Sequence, residues 1–386
     1  VLRRGRYRVR AEADGFAAER GYLRETGNLV FHLGLLALLV AVAGGSFLRW
    51  TGQALVVVGD GFADTLPMYD SFQAGRRVDP ADLPPFSLTL DALDVRFEEQ
   101  AGGSQFGAPR EFRATVRVQE SPGATARREV LEVNHPLQVG GARVFLVGNG
   151  YAPVISVRDG EGAPAFSGAV PFLAMDGRYT SRGVVKVPDA RPRQLALAGF
   201  LLPTAMIDPG AGPVSVFPEA RRPRLVLTAF AAAPGQDGLG LDSGVPQSVY
   251  QLDVSRLTRL TGGDGEPVRL LLAPGESAEL PGGIGTVTFD GLRRYAVLDV
   301  RADPARGWVL VAALVSLAGL LVSLSVRRRR IWVRVADGGE IRTVVEVAGL
   351  ARARDDGLAA SVARLADAVA GSERNTGSAP PVVARE

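Results

Sequence analysis

Two long uncharged stretches, arginine clusters beside them and short alternating segments between them predict a membrane protein. The expected fold class is two transmembrane α-helices flanking a large, mainly β extracytoplasmic domain. The chain has 386 residues, 46% hydrophobic and 22% charged, which is enough to bury a sizeable core and argues against general disorder. Net charge is +3, and its distribution matters more than its sum. Residues 1–27 hold seven Arg against four acidic residues, and 327–386 hold eleven against eight. The slightly acidic middle does not form the basic face of a nucleic-acid binder.

The first span is Asn28 to Leu48, NLVFHLGLLALLVAVAGGSFL, uncharged apart from one His. At ~1.5 Å per residue it reaches roughly 30 Å, the thickness of a bilayer's hydrocarbon core. The second occupies 307–326, where Trp308 opens WVLVAALVSLAGLLVSLSV and Arg327–Arg330 closes it. The alternative, two core helices of a soluble protein, fits these lengths poorly. Arg3, Arg4, Arg6, Arg8, Arg10, Arg20 and Arg24 precede the first span, and only Arg49 follows it before Arg76. The positive-inside rule therefore predicts a plasma-membrane protein with both termini cytoplasmic and residues 49–306 outside.

Between the spans, FSLTLDALDVRFE (86–98) places Phe86, Leu88 and Leu90 on one face, the period of a strand. Phe112, Ala114, Val116 and Val118 repeat it. Further strands are expected at 128–133, 142–147, 153–158, 224–230, 248–254, 284–290 and 295–301, punctuated by Gly, Pro and Asp. That pattern predicts a sandwich or a pair of packed sheets. The Pro- and Ala-rich stretch 186–221 reads as a long connection with a short helix near 193–200, dividing the domain into two lobes. In the tail, 331–347 predicts one or two strands, and Leu358, Val362, Leu365 and Val369 mark an amphipathic helix over 357–370. The polar residues 371–386 are expected to be disordered.

Candidate chemistry is sparse. Cysteine is absent, which excludes thiolate catalysis, iron–sulfur clusters, disulfides and covalent haem attachment by this chain. VVVGDGFAD (56–64) has Asp64 where a dinucleotide fingerprint needs Gly. No GxSxG elbow, phosphate loop or nucleophile–base pair is evident, so neither an envelope hydrolase nor any enzyme acting alone is expected. Two His without Cys do not predict a zinc site. His32 lies about one turn into the first span, where an ionisable residue costs several kcal/mol if it faces lipid. It is either an imidazole hydrogen-bonded to a neighbouring helix or a ligand to metal or haem. His135, in VNHPLQVGG, reads as a surface residue of a loop. With His32 in the bilayer and His135 outside it, the two are not expected to share an iron.

Four stretches carry a family resemblance: ERGYLRETGNLVFHLGLL (19–36), VNHPLQVGGARVFLVGNGYAP (133–153), GTVTFDGLRRYAVLDVRADP (285–304) and RRRRIWVRV (327–335). In their order around two spans they resemble ResB-type cytochrome c biogenesis proteins (system II, ResB/CcsB). The resemblance is weakest over 155–245 and the tail. It implies a subunit, at most part of a haem–cytochrome c synthase complex, that works with a multi-spanning ResC/CcsA-type partner. Together they would carry haem outward and attach it to apocytochrome c. It implies haem b, held transiently and shared with the partner, with His32 matching the family's membrane histidine. Asn134, Pro136, Gly150, Tyr151 and Pro153 match its turn-and-strand signature and read as structural; no ligand role passes to His135. Further upstream spans are expected, since the chain opens at Val1 without an initiator Met or signal peptide. The competing reading is an extracytoplasmic sensor or cell-envelope scaffold with no haem role.

Overall fold

The computed structural model describes residues 2–3, 5–100, 103–210, 212–241, 248–263, 265–337, 343–351, 356–373 and 382–385. The chain divides into two units, Leu48–Asp303 and a second made of Val1–Phe47 with Pro304–Glu386.

The second unit holds helices α1 (Leu23–Leu48), α2 (Arg306–Ser325) and α3 (Asp356–Glu373). The first helix starts more than a turn before the uncharged stretch, because its opening turn lies at the polar boundary where Arg24 and Glu25 are tolerated. Glu25 there complements the helix dipole. Both α1 and α2 are long and apolar enough to cross a membrane. Their apolar side chains point outward, among them Leu29, Leu36, Leu39, Leu310, Leu314 and Leu321. A soluble core helix does not expose so much apolar surface, so lipid is the solvent these faces fit.

Small residues let α1 and α2 touch. A Cβ on Gly27 would sit 2.7 Å from the backbone nitrogen of Ser323, and one on Gly34 would sit 2.7 Å from that of Ser316. The paired positions run in opposite directions, so the helices are antiparallel. Ser316 Oγ donates to the carbonyl of Phe31 at 3.3 Å.

The segment before α1 was expected only as a basic stretch. Its residues Arg8–Glu12 and Gly15–Arg20 instead form a hairpin that pairs with Arg329–Asp337, followed in order by Thr343–Ala351 and a parallel strand, Val382–Arg385. One sheet therefore joins both ends of the chain at one end of the helix pair. Where one or two strands are expected over 331–347 it has two, Arg329–Asp337 and Thr343–Ala351, and it puts a strand inside 371–386, the stretch expected to be disordered. Residues 374–381 and 386 lie outside the described residues. The helix α3 packs Val362, Leu365 and Ala366 on Ile331 and Val347. The arginine run after α2 is part of the frame: Arg328 pairs with Glu25 and, at 3.2 Å, with Glu19, which also binds Arg330. Burial opposes ionisation of Glu19, yet hydrogen bonds from Tyr22, Arg330 and Arg328 hold its carboxyl below the usual range.

The unit Leu48–Asp303 is built on two long antiparallel strands, Ala142–Asp159 and Gly285–Ala302. Each was expected as two short strands. The glycines that read as breaks lie inside continuous strands, and register shifts at Leu146/Gly148 and Val154/Ile155 swap the inward face midway. One half of this sheet, with Trp50–Val57 beside it, covers a four-stranded sheet containing Ser87–Phe97 and Pro109–Gln119. The other half covers a sheet containing Ser181–Val187, Leu195–Leu202 and Arg224–Ala232. Two sandwiches thus share a central sheet. Phe86, Leu88 and Leu90 are buried as their alternation predicts; a bulge beyond Leu90 then turns Leu93 and Phe97 inward.

Three expectations are corrected here. The stretch 186–221 is not a connection between lobes, and 193–200 is not a helix. Leu195–Leu202 is a strand paired on both edges, with the second core on one face and Phe230 and Leu239 on the other. A strand buried on both faces loses its alternation and reads like a buried helix. The lobes meet instead where the long strands change face. Residues 248–254 are not a strand: Val249 and Val254 face outward, and the loop is held by Tyr250, whose hydroxyl donates to Asp70 at 2.6 Å.

Asp64 is buried in the first sandwich, with one carboxylate oxygen accepting from Tyr69 at 2.6 Å and the other unpartnered among the described residues. Burial pushes its pKa from 3.8 up to about 6, although the Tyr69 bond works the other way. Between those values the folded chain keeps a proton that the unfolded chain releases, so this group's contribution to stability falls as pH rises from about 4 to about 6. Discounted for screening, the loss is about 1–2 kcal/mol. Asp64→Asn, which keeps the acceptor for Tyr69, is expected to melt higher than the parent at pH 7 and equally near pH 4. Melting curves across that range check this; parallel curves would refute it.

Candidate functional site

His32 sits on α1 about one turn into the uncharged stretch, seven residues and therefore about 10 Å along the axis past Glu25. The α1 positions turned toward α2 are Gly27, Phe31 and Gly34. His32 lies off that line and is exposed. It does not hydrogen-bond a neighbouring helix of this chain. Its Nδ1 is 2.8 Å from the carbonyl oxygen of Asn28, one turn earlier. A carbonyl can only accept, so Nδ1 carries the hydrogen, and in the neutral ring Nε2 keeps its lone pair. The ring packs edge-on against Phe31, with centroids 5.2 Å apart. The backbone acceptor holds the imidazole in one tautomer, which is also how proteins orient an imidazole that binds a metal. No cluster of three or more metal-ligating side chains occurs among the described residues, so His32 offers a single bond.

The signature residues lie in the other unit. Asn134 adopts φ 68°, the left-handed turn conformation that Asn tolerates, and with Pro136 it leads the chain from Arg127–Glu132 into Leu137–Val139. His135 is exposed on this turn, and its backbone N–H donates to Glu132 at 3.0 Å. Gly150, Tyr151 and Pro153 occupy the seam between the two sandwiches. Gly150 faces Tyr295 across the ladder, and the ring lies on it so closely that a Cβ would fall 2.3 Å from the phenol. Tyr151 is buried; its hydroxyl donates to the carbonyl of Pro218 at 2.9 Å, and Arg294 covers its ring at 4.7 Å. Pro153 lacks a donor and stands beside the bulge, where the ladder needs none, while its carbonyl accepts from Val170.

Profile comparison matches residues 1–363 to ResB, the ResB-like family. The chain belongs to the ResB-like family. Among curated relatives of this ResB-like chain is cytochrome c biogenesis protein CcsB of Synechococcus sp. (strain CC9311), 28% identical over 148 residues, covering 37% of this chain and 28% of that protein. CcsB of Synechococcus sp. (strain WH7803) is 29% identical over 143 residues, 36% of this chain and 28% of the relative. CcsB of Gloeobacter violaceus is 24% identical over 144 residues, with 37% and 28% covered. The alignments therefore span little more than a quarter of the length of these relatives.

The ResB-like chain places its predicted residues in three settings, one in the unit with the spans and two in the unit Leu48–Asp303. His32 is on the helix pair, Asn134 and Pro136 are in a turn of the first sandwich, and Gly150, Tyr151 and Pro153 are in the seam. Sequence reasoning passed over Arg294 and Tyr295, which sit opposite Tyr151 and Gly150. Their signal was present in GLRRYAV, but recognising it requires the register of a partner strand more than 140 residues away. The seam also holds two buried polar atoms, Asn149 Oδ1 and Arg294 Nη1, without a partner among the described residues.

Proposed function

We propose that this chain is a haem-handling subunit of cytochrome c biogenesis, set in the cell membrane by its two spans. The observation that carries the reading is His32, exposed on the first span and fixed through Nδ1, which leaves the lone pair of Nε2. Lipid offers no partner for that nitrogen, and leaving it there without one is costly. A multi-spanning protein of the ResC/CcsA type would cover this face and bring the second axial ligand to the iron. Haem is then the cargo, passed outward and joined to the thiols of apocytochrome c. His32 would supply one axial bond, and this chain would hold no reacting thiol of its own.

The basic flanks support an orientation with both termini in the cytoplasm and residues 49–306 outside. The double sandwich would then position the partner and the apocytochrome, a task for rigid surfaces and not for bond-making groups. Co-expression with the partner tests the reading. The wild-type complex should show a Soret band, and His32→Ala should reduce it at least about tenfold, as expected when one of two axial bonds to haem iron is lost. Added imidazole should restore part of it. A colourless wild-type complex, together with cytochrome c maturation that survives loss of this chain, would sink the proposal and favour an envelope scaffold.

A further inference from the structure

The turn between Leu173–Ala174 and Ser181–Val187 reaches the seam of the two sandwiches, and three unfavourable features meet there. Tyr179 stands in this turn at φ 56°, the left-handed region that a ring-bearing residue rarely enters. Asn149, 8% exposed, donates through Nδ2 to the Tyr179 hydroxyl at 3.2 Å, yet its Oδ1 has no partner among the described residues. Nη1 of Arg294 is buried and unpartnered too, and its guanidinium lies over the Tyr151 ring with no carboxylate at salt-bridge distance among the described residues. Burial raises the pKa of the Tyr179 hydroxyl, and the Asn149 bond and the charge of Arg294 pull it back, so these groups act on one spot.

The turn is built as a separable piece. Asp176 Oδ1 accepts from the N–H groups of Arg178 and Thr180 at 2.9 Å each, and the Met175 N–H donates to the carbonyl of Thr180 at 2.8 Å. These bonds travel with the turn. It is tied down by Ser215 Oγ, which donates to the carbonyl of Arg178 at 3.0 Å, and by the Tyr179 ring, edge-on to Phe97 at 5.4 Å and to Tyr151 at 6.2 Å. Phe97 comes from the first sandwich and Tyr151 from the second core, so one ring plugs the seam. A strained backbone beside two unpaired polar atoms is what a second, relieved state would explain.

We propose that this turn is a hinged plug over a binding site for a carboxylate that carries one aromatic ring. Lifting Tyr179 relieves the left-handed backbone and frees the Asn149 amide to turn toward Arg294. The carboxylate supplies the charge-assisted partner that Arg294 lacks, and the ligand's ring takes the place of Tyr179 between Phe97 and Tyr151.

Hydrogen exchange of the full chain in detergent tests this, with phenylpropionate as the probe. Phenylpropanol, which lacks the charge, and acetate, which lacks the ring, are the controls. A ligand that replaces Tyr179 favours the open turn, so the acid should speed exchange of the amides of 175–181 and leave those of Leu195–Leu202 unchanged. Neither control should do so, and Arg294→Gln should abolish the response. In Tyr179→Gly, glycine takes the left-handed conformation freely and no ring competes. That variant should bind the acid about tenfold more tightly by calorimetry, a gain that a folding defect does not produce. A peptide ending in phenylalanine tells the two sources of this chemistry apart: tighter binding than the small acid assigns the site to the carboxyl end of a protein, weaker binding to a free acid. The proposal is overturned by a turn whose exchange the acid leaves unchanged or slows, by equal effects of acid and alcohol, by a response that survives in Arg294→Gln, or by no gain in Tyr179→Gly.

Discussion

Replacing Gly319 with valine is expected to separate the two spans. A Cβ at that position would fall 2.5 Å from the backbone nitrogen of Phe31 and 2.8 Å from the carbonyl oxygen of Gly27. Both obstacles are backbone, so no rotamer change relieves the clash and the helices must move apart. In lipid there is no hydrophobic force to hold them, because the tails solvate Leu and Val as well as another helix does; close packing and a few hydrogen bonds remain. Opening the seam at Gly319 also stretches the Ser316 bond to Phe31 one turn away. The cost should be about 1–3 kcal/mol from overpacking alone. It should appear as a lower melting temperature in detergent. Gly44→Val in α1 is the control, since nothing lies within 4 Å of its added Cβ. If both valines behave alike, close packing of the spans is not what holds this unit together.

That seam was partly written in the sequence. Gly27 and Gly34 are seven apart, and Ala312, Ser316, Gly319 and Ser323 recur every three or four residues, the spacing of one helix face. Hydropathy marked both spans for the same reason, since each is a local property of some twenty residues. What was illegible depends on distant partners. The hairpin Arg8–Glu12 with Gly15–Arg20 is too charged to resemble a core strand, and its partner Arg329–Asp337 lies more than 300 residues away. The long strands looked interrupted at Gly148 and Gly150 because a glycine that admits the Tyr295 ring and a glycine that makes a turn are the same letter. His32 was visible as an anomaly, but its freedom from α2 follows from which face the small residues occupy. Its tautomer follows from Asn28, four residues earlier, a contact that depends on helix geometry.

Gly199→Val should be the most damaging single change in the unit Leu48–Asp303. Gly199 lies in the middle of Leu195–Leu202, paired with Gly183 on one side and Leu227 on the other. An added Cβ would come within 1.9 Å of the carbonyl oxygen of Val226 and 2.9 Å of Leu227 Cα, so the ladder between the two central strands cannot close around it. Those strands supply Leu197, Leu201, Leu225, Leu227 and Ala229, all fully buried, and losing their registry exposes the whole second core. An effect of about 4 kcal/mol or more is expected, in the range reserved for broken cores. Gly177→Val, with open space around its Cβ, is the matched control and should be silent. The spans belong to the other unit, and this core is built from residues between them. Gly199→Val should therefore still enter the membrane while protease removes the region between the spans and the wild type resists. A variant that fails to insert at all would show that the sandwiches and the spans fold as one cooperative body, and the division of the chain into two units would lose its energetic meaning.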